Sequence, residues 1–305
     1  MIPQYPKFKK LALEDKEEIE NFTKIYPPYS DYNFVSLWVY NIKDDIIVSK
    51  LNNNLIVRFR DYLTEELFYS FLGHHKISET ADILLNHSKK TGLKPLLKLI
   101  PEVAIQPDKK IFQNFHVVED QDNFDYIVSS HDLTQLKGNK YKSKRKLLKK
   151  FQREYPNHEV RVLNLKDLNH QKHIFDTFFL WEKDKRKKRK QTEHELKAIM
   201  KLLKHYHHFN LVPIGLYHGG QMVGFSISEI VHQGYAINHF MKFKYSYKGA
   251  SEALDKALSE HLITKECYFL NIEQDMGIPG LKESKKLCRP VHFLKKYKIY
   301  HFSTL

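Results

Sequence analysis

One segment constrains the fold more than any other: LVPIGLYHGGQMVGFSISEIVHQGYAINHFMKFKYSYKGASEALDKAL, residues 211–258. Gly219-Gly220 separates two apolar runs and reads as a hairpin turn, because glycine accepts the positive φ that such turns need. His232-Gln233-Gly234 makes a second turn, and Tyr235–Phe243 a third strand. The loop KYSYKG then enters a helix, Ala250–Ile263, where Ala250, Ala253, Leu254, Ala257, Leu258, His261 and Leu262 recur at the spacing of one buried face. CYFLNI follows as a short buried strand, Gly280–Leu287 as a short helix and VHFLKKYKIYHF as a last strand.

Upstream, Ile19, Phe22 and Ile25 give a helix stripe closed by Pro27-Pro28, and Phe34, Leu37 and Trp38 point inward from a second short helix. IIVSKL, NNN and LIVRFRDY read as strand, turn and strand, since Asn tolerates the left-handed conformation. FYSFLG and KPLLKLI are strands around a helix over Ser78–Thr91 that stops at Gly92, and FDYIVSSHDL is a further strand. From Val160 the pattern is strand VRVLNL, a helix around Asp167–Lys183, a basic loop and a helix around Thr192–Phe209.

Charge is concentrated. The chain carries 50 Lys and Arg against 36 Asp and Glu, a net +14. Residues 136–156 contribute +8 and Lys183–Lys190 (KDKRKKRK) +6, so the remainder is neutral. A field this local attracts a polyanion or an anionic headgroup better than the same charge spread evenly. At about 100° per residue, Leu147, Leu148, Phe151 and Tyr155 gather on one face of a helix, and Arg145, Lys146, Lys149, Lys150 and Arg153 on the other. The stretch is therefore an amphipathic helix docked by its apolar stripe. Its basic face, with Lys185, Arg186, Lys187, Lys188 and Arg189, suits tRNA backbone or an anionic membrane, against the default of a solvated face. Lys144 lies in line with the apolar stripe, aimed at a cleft.

Cys267 and Cys288 make no disulfide framework and read as reduced thiols of a cytoplasmic protein, with the basic runs allowing a peripheral place at the inner membrane face. No run reaches the roughly 20 apolar residues that span a bilayer, and MIPQYPKFKKLALEDKEE has no signal-peptide core. The densest histidine cluster, His205-Tyr206-His207-His208, has no zinc spacing, so no metal is expected.

The loop before Ala250 carries the first chemical signal. A helix N-terminus presents unpaired N–H groups; Gly249 lets a ligand approach, and Lys248 adds charge. Tyr247, Lys248, Gly249, Ala250 and Ser251 then hold a phosphate, or Gly249 marks only a tight packing contact. His239, mid-strand before that loop, is either a general base or a hydrogen-bonded core residue. Asn271, Glu273 and Asp275 alternate after the next strand, so an extended strand would turn all three one way, toward the cationic groups of an amino-acid donor; alternatively they cap the next helix. Glu229 is a further base or a solvated carboxylate. Lys242 and Lys285 face the same cleft or lie on the surface, and Trp181 belongs to the core or stacks on a base.

FDYIVSSHDLTQLKGNKYKSKRKLLKKFQREYP, HFMKFKYSYKGASEAL and FLNIEQDMGIPGLKESKKLCRPVHFLKKYKI, with SDYNFVSLWVY nearer the start, resemble the phosphatidylglycerol lysyltransferase C-terminal domain-like family over about residues 8–300. NIEQDMGIPGLKESK is the most specific phrase. The chain departs from the family at Lys144-Arg145-Lys146, usually closer to KRN, and in the basicity of Lys183–Lys190. The resemblance implies a mixed α/β (α+β) fold of two tandem GNAT-like domains, each a mostly antiparallel sheet flanked by helices, here 1–135 and 136–305, with the second catalytic. It is to the standalone members, which lack the membrane-embedded flippase region. It implies an acyltransferase with no tightly bound cofactor, moving an aminoacyl group from aminoacyl-tRNA to a lipid headgroup, peptide or amine. The alternatives are an N-acetyltransferase with acetyl-CoA as acyl-CoA donor, or a non-catalytic protein that binds RNA or anionic membrane. His239, Asn271 and Glu273 are the expected catalytic residues, and Asp275, Lys242, Lys285 and Lys144 the expected substrate contacts.

Overall fold

A computed structural model describes residues 1–108, 110–185, 189–232 and 234–302, with the backbone alone at 189–191. Arg186, Lys187 and Lys188 therefore lie outside the described residues, as does the side chain of Arg189. Packing groups the chain into two units. One comprises Met1–Asp125, Gln274–Gly277 and Phe293–Leu305, the other Tyr126–Glu273 and Ile278–His292. This division does not follow the expected break after residue 135. Residues 126–135 belong with the second unit, because Ile127, Val128 and Ser129 pair with the strand Phe269–Asn271.

In the first unit, Lys9–Lys10, Ile47–Leu51, Asn54–Arg60 and Leu67–Leu72 form an antiparallel sheet in that order. A second sheet places Lys296–His301 between Leu97–Pro101 and Phe115–Glu119, both antiparallel to it. The Nζ of Lys296 is fully buried and ion-paired with Asp31 and, at 2.7 Å, with Asp125. Ser30 donates to Asp125 from its N–H at 2.8 Å and from Oγ at 2.6 Å. Burial works against the Lys296 charge, but the two carboxylates outweigh it and raise its pKa. The phrase SDYNF thus supplies part of a buried charge network.

The second unit is built on the strands Phe269–Asn271, Tyr235–Phe243, Gln221–Ile230, Leu211–His218 and Glu159–Val162, the last five in order of a seven-stranded sheet whose first two are His292–Leu294 and Asp125–Ser129. The pair Tyr235–Phe243 and Phe269–Asn271 is parallel, and the other pairs of described register are antiparallel. Gly219 and Gly220 have φ of +58° and +76°, which closes the predicted hairpin. Ile214, Leu216, Val223, Ala236, Leu254, Leu258 and Phe151 share one core cluster, so the helices Lys142–Glu154 and Ala250–Ile263 pack on this sheet. The helix Leu168–Asp184 buries Ile174, Phe178 and Trp181, and Thr177 donates to the Met222 carbonyl at 3.2 Å.

The mixed, antiparallel-rich α/β architecture agrees with the sequence reading. Three elements differ. VHFLKKYKIYHF is two strands in two sheets, His292–Leu294 and Lys296–His301. FDYIVSSHDL is a strand that turns into the helix Ser130–Gln135, where Ser129 accepts from the Asp132 N–H and caps the first turn. Phe115–Glu119, which sequence periodicity did not single out, is a strand. Among the described residues no helix is long and apolar enough to cross a membrane.

Candidate functional site

The candidate centre begins at an irregularity. Ile227 pairs with Phe240, but Ser228 pairs with Asn238, so His239 is the extra residue of a bulge. A bulge re-aims side chains relative to the regular pleat. Asn238 turns to the hairpin strand, where its Oδ1 accepts from Ser226 Oγ at 3.0 Å and Ser228 Oγ at 3.4 Å. His239 is left between two carboxylates. Its Nε2 lies 3.5 Å from Glu229 Oε2 and its Nδ1 3.3 Å from Glu273 Oε1. The imidazole is 0% exposed, the Glu229 side chain 5% and the Glu273 side chain 21%. Burial lowers the pKa of His239, but hydrogen bonding to Glu229 and Glu273 and their charges raise it to about 9. A pKa held at about 9 favours the protonated ring at neutral pH, so this geometry fits the hydrogen-bonded alternative better than a general base, which must be unprotonated.

The parallel pairing beside His239 ends early. Tyr235, Ala236 and Ile237 pair with Phe269, Leu270 and Asn271, and beyond that point Tyr235–Phe243 continues alone on this side. At the fork Asn271 is buried, and its Oδ1 accepts from the Glu273 N–H at 2.7 Å. Glu273 has φ +60°, so the strand does not extend through it and the expected alternation fails. Asp275 belongs to the first unit, where its Oδ1 accepts from the Gly277 N–H at 2.8 Å. The helix Pro279–Leu287 starts at Ile278 with no side-chain cap, so neither Asn nor Asp serves it. Lys285 donates to the Ile272 carbonyl and holds the strand end.

The glycine loop is occupied differently from the phosphate reading. Gly249 has φ +93° and precedes the helix Ala250–Ile263. A Cβ there would lie 2.3 Å from the Leu147 carbonyl oxygen and 2.9 Å from Phe151 Cβ. The close approach that requires glycine is therefore to the helix Lys142–Glu154, and the tight-packing alternative is the one observed. Ala250 is buried, Ser251 donates to Glu252 at 2.8 Å, Lys248 is exposed and Tyr247 half-buried.

Two expected cleft lysines are committed elsewhere. Lys144 is buried and donates to Asp255 Oδ2 at 2.5 Å. Burial opposes its charge, yet Asp255 raises its pKa, and Cys288 beside them is pushed up to about 12 by burial and by Asp255. Lys242 is buried against Glu195 Oε1 at 2.5 Å, with its Nζ 4.7 Å from the centre of the Trp181 ring. Trp181 is a core residue. On the basic helix Lys146, Lys149, Lys150 and Arg153 are exposed, while Arg145 donates to the carbonyls of Leu136 and Gly138. Lys185 lies 5.7 Å from the Trp181 ring and 4.9 Å from that of Tyr245.

The sequence model of the family described as phosphatidylglycerol lysyltransferase, C-terminal, matches residues 23–300. The chain belongs to that family. Among solved structures, a conserved protein of unknown function from Bacteroides thetaiotaomicron VPI-5482 is 24% identical, with 99% of this chain and 100% of that one covered and a TM-score of 0.83. L-PGS from Bacillus licheniformis is 14% identical over 99% and 94%, with a TM-score of 0.62. FemX is 8% identical over 96% and 96%, with a TM-score of 0.59. At such identities the likeness is one of fold, a mixed, antiparallel-rich α/β architecture. No curated protein matches the chain.

Within this member of the lysyltransferase family, sequence reasoning found His239 and Glu273 but undervalued Glu229, whose place on a central strand buries it. Asn238, Ser226 and Ser228 were missed, although three polar side chains within otherwise apolar strands are a usable signal. Asp255 was missed too; a lone carboxylate between Leu254 and Leu258 on a buried helix face points to a buried cation.

Proposed function

We propose that the chain transfers an aminoacyl group from an aminoacyl-tRNA to a lipid headgroup, peptide or amine, at the fork between Tyr235–Phe243 and Phe269–Asn271. The observation that carries this reading is the Glu229, His239 and Glu273 cluster. Two carboxylates around one imidazolium leave net negative charge, and Glu273 is the member that reaches solvent. An aminoacyl ester brings an α-ammonium next to the reacting carbonyl, and Glu273 is its ion-pair partner. His239, between them, holds both carboxylates in place. An acetyl group brings no cation, so the cluster gives acetyl-CoA no comparable hold. In the transfer, the acceptor heteroatom bonds the carbonyl carbon, the ribose oxygen leaves, and the acceptor's proton passes to that oxygen.

The test supplies tRNA charged with labelled amino acids, and separately labelled acetyl-CoA, with phosphatidylglycerol vesicles or amines as acceptors. Label should move from aminoacyl-tRNA. Glu273→Gln should lower kcat/KM roughly 30-fold, the equivalent of about 2 kcal/mol for a charged hydrogen bond. Transfer from acetyl-CoA alone, or from neither donor, refutes the reading.

The exposed row Lys146, Lys149, Lys150 and Arg153 supports a polyanionic donor. Reversing Lys146, Lys149 and Lys150 to Glu should raise KM for aminoacyl-tRNA at least tenfold at low salt and flatten its salt dependence. An unchanged KM would place the tRNA elsewhere.

A further inference from the structure

Three aromatic side chains from separate segments meet at the surface of the second unit. Tyr155 follows the helix Lys142–Glu154, His218 ends the strand Leu211–His218, and Tyr247 lies in the loop before Ala250. The rings of Tyr155 and Tyr247 are 4.5 Å apart at 32°, those of Tyr155 and His218 5.1 Å at 70°, and those of His218 and Tyr247 5.8 Å at 66°. Tyr155 also packs on the buried Phe151 at 5.1 Å. One edge of the group is thus fixed in the core, while all three residues remain half-buried. Core aromatics would be covered; these are not.

The surroundings are cationic. The Nζ of Lys244 is 5.7 Å from the Tyr247 ring centre and donates to Gln221 at 3.0 Å. Lys248 is exposed one residue beyond Tyr247, and Arg153 two residues before Tyr155. Glu154, the acidic residue of this helix, is shared between Arg153 at 4.0 Å and Lys150 at 3.7 Å, so the face stays positive. A rigid aromatic surface with a basic margin offers both things a nucleotide needs: π-faces for the base and charge for its phosphate.

We propose that Tyr155, His218 and Tyr247 form a stacking site for a nucleobase whose phosphate is met by Lys244, Lys248 and Arg153. The unpaired 3′ end of an RNA and the adenosine bisphosphate portion of coenzyme A share this chemistry. The proposal rests on the acyltransferase reading for which source matters, and on the aromatic group alone for the site.

The test titrates the RNA trinucleotide CCA, and separately coenzyme A, into the full chain and its variants by calorimetry. A base stacked on one ring is worth about 1–3 kcal/mol. Tyr247→Ala should therefore weaken binding at least about fivefold. Lys244→Glu, which leaves the aromatic packing in place, should weaken it several-fold and reduce the salt dependence. Glu273→Gln should bind as the parent does. Binding of either probe with these losses upholds the site, and the probe that binds identifies the source. If neither binds, or if both Tyr247→Ala and Lys244→Glu bind like the parent, the site is refuted. An upheld site in a protein whose transfer is indifferent to Glu273→Gln refutes the proposed centre instead.

Discussion

His239→Gln should destabilise the protein by about 3–5 kcal/mol, read as a loss of unfolding free energy in urea. The substitution keeps a hydrogen-bonding side chain of similar reach and removes the positive charge from between Glu229 and Glu273. Glu229 is buried, and removing one member of a buried ion pair leaves the other carrying its full desolvation cost. Adding Glu229→Gln should recover at least half of the loss, since the orphaned charge then disappears. The pH dependence has a definite sign. The pKa of His239 is raised to about 9, against about 6.5 in an unfolded chain. Its stabilisation is therefore complete below about pH 6.5 and is lost as the pH rises through 9. A shift of this size corresponds to about 3 kcal/mol. The difference in stability between the parent and His239→Gln should shrink between pH 6.5 and 9.5. A difference that stays constant, or widens, over that interval would show that His239 is neutral in the folded protein.

The hairpin, the third strand and the helix after Gly249 were legible because their signals are local. Two positive-φ glycines fix a turn, and apolar residues at helical spacing fix a face. The amphipathic helix Lys142–Glu154 was legible for the same reason, with Leu148 and Phe151 buried as its periodicity requires. The break in the last strand was not. Lys295 separates a strand of one sheet from a strand of another, and that partition depends on which partners are in reach. Nor does local sequence show that Lys296 is fully buried, since its partners Asp31 and Asp125 are far away in the chain.

At the candidate site, residue types were easier to read than their states. A histidine before the loop invites a general-base role, but the bulge delivers it to two carboxylates, which raise its pKa to about 9. The bulge arises from a register shift between strands, which no periodicity announces. The helical wheel turns Lys144 inward, and the partner it meets there is Asp255, which no local pattern ties to it.

The glycine before Ala250 gives the sharpest separation between the two readings of the loop. Had Gly249 served only to admit a ligand, Gly249→Val would block the donor and leave the fold intact. The packing requires another result. At φ +93° an L-residue is strained by about 1–2 kcal/mol, and its Cβ would meet the Leu147 carbonyl oxygen at 2.3 Å. That oxygen belongs to helix backbone, so it yields only if the helix Lys142–Glu154 shifts, and overpacking of this kind costs about 1–3 kcal/mol more. Gly249→Ala should therefore lose about 2–5 kcal/mol, and Gly249→Val more. Gly92 supplies the control: just past the helix Ile77–Lys90, it has φ +74° and nothing within 4 Å of the added Cβ. Gly92→Ala should show the backbone strain alone. Hydrogen exchange should locate the excess in Gly249→Ala as lost protection across residues 145–154, whose amides are held by the helix that must move. Equal losses at the two glycines, or protection unchanged in 145–154, would mean that the contact with Leu147 does not set the requirement for glycine, and the ligand-approach reading of the loop would return.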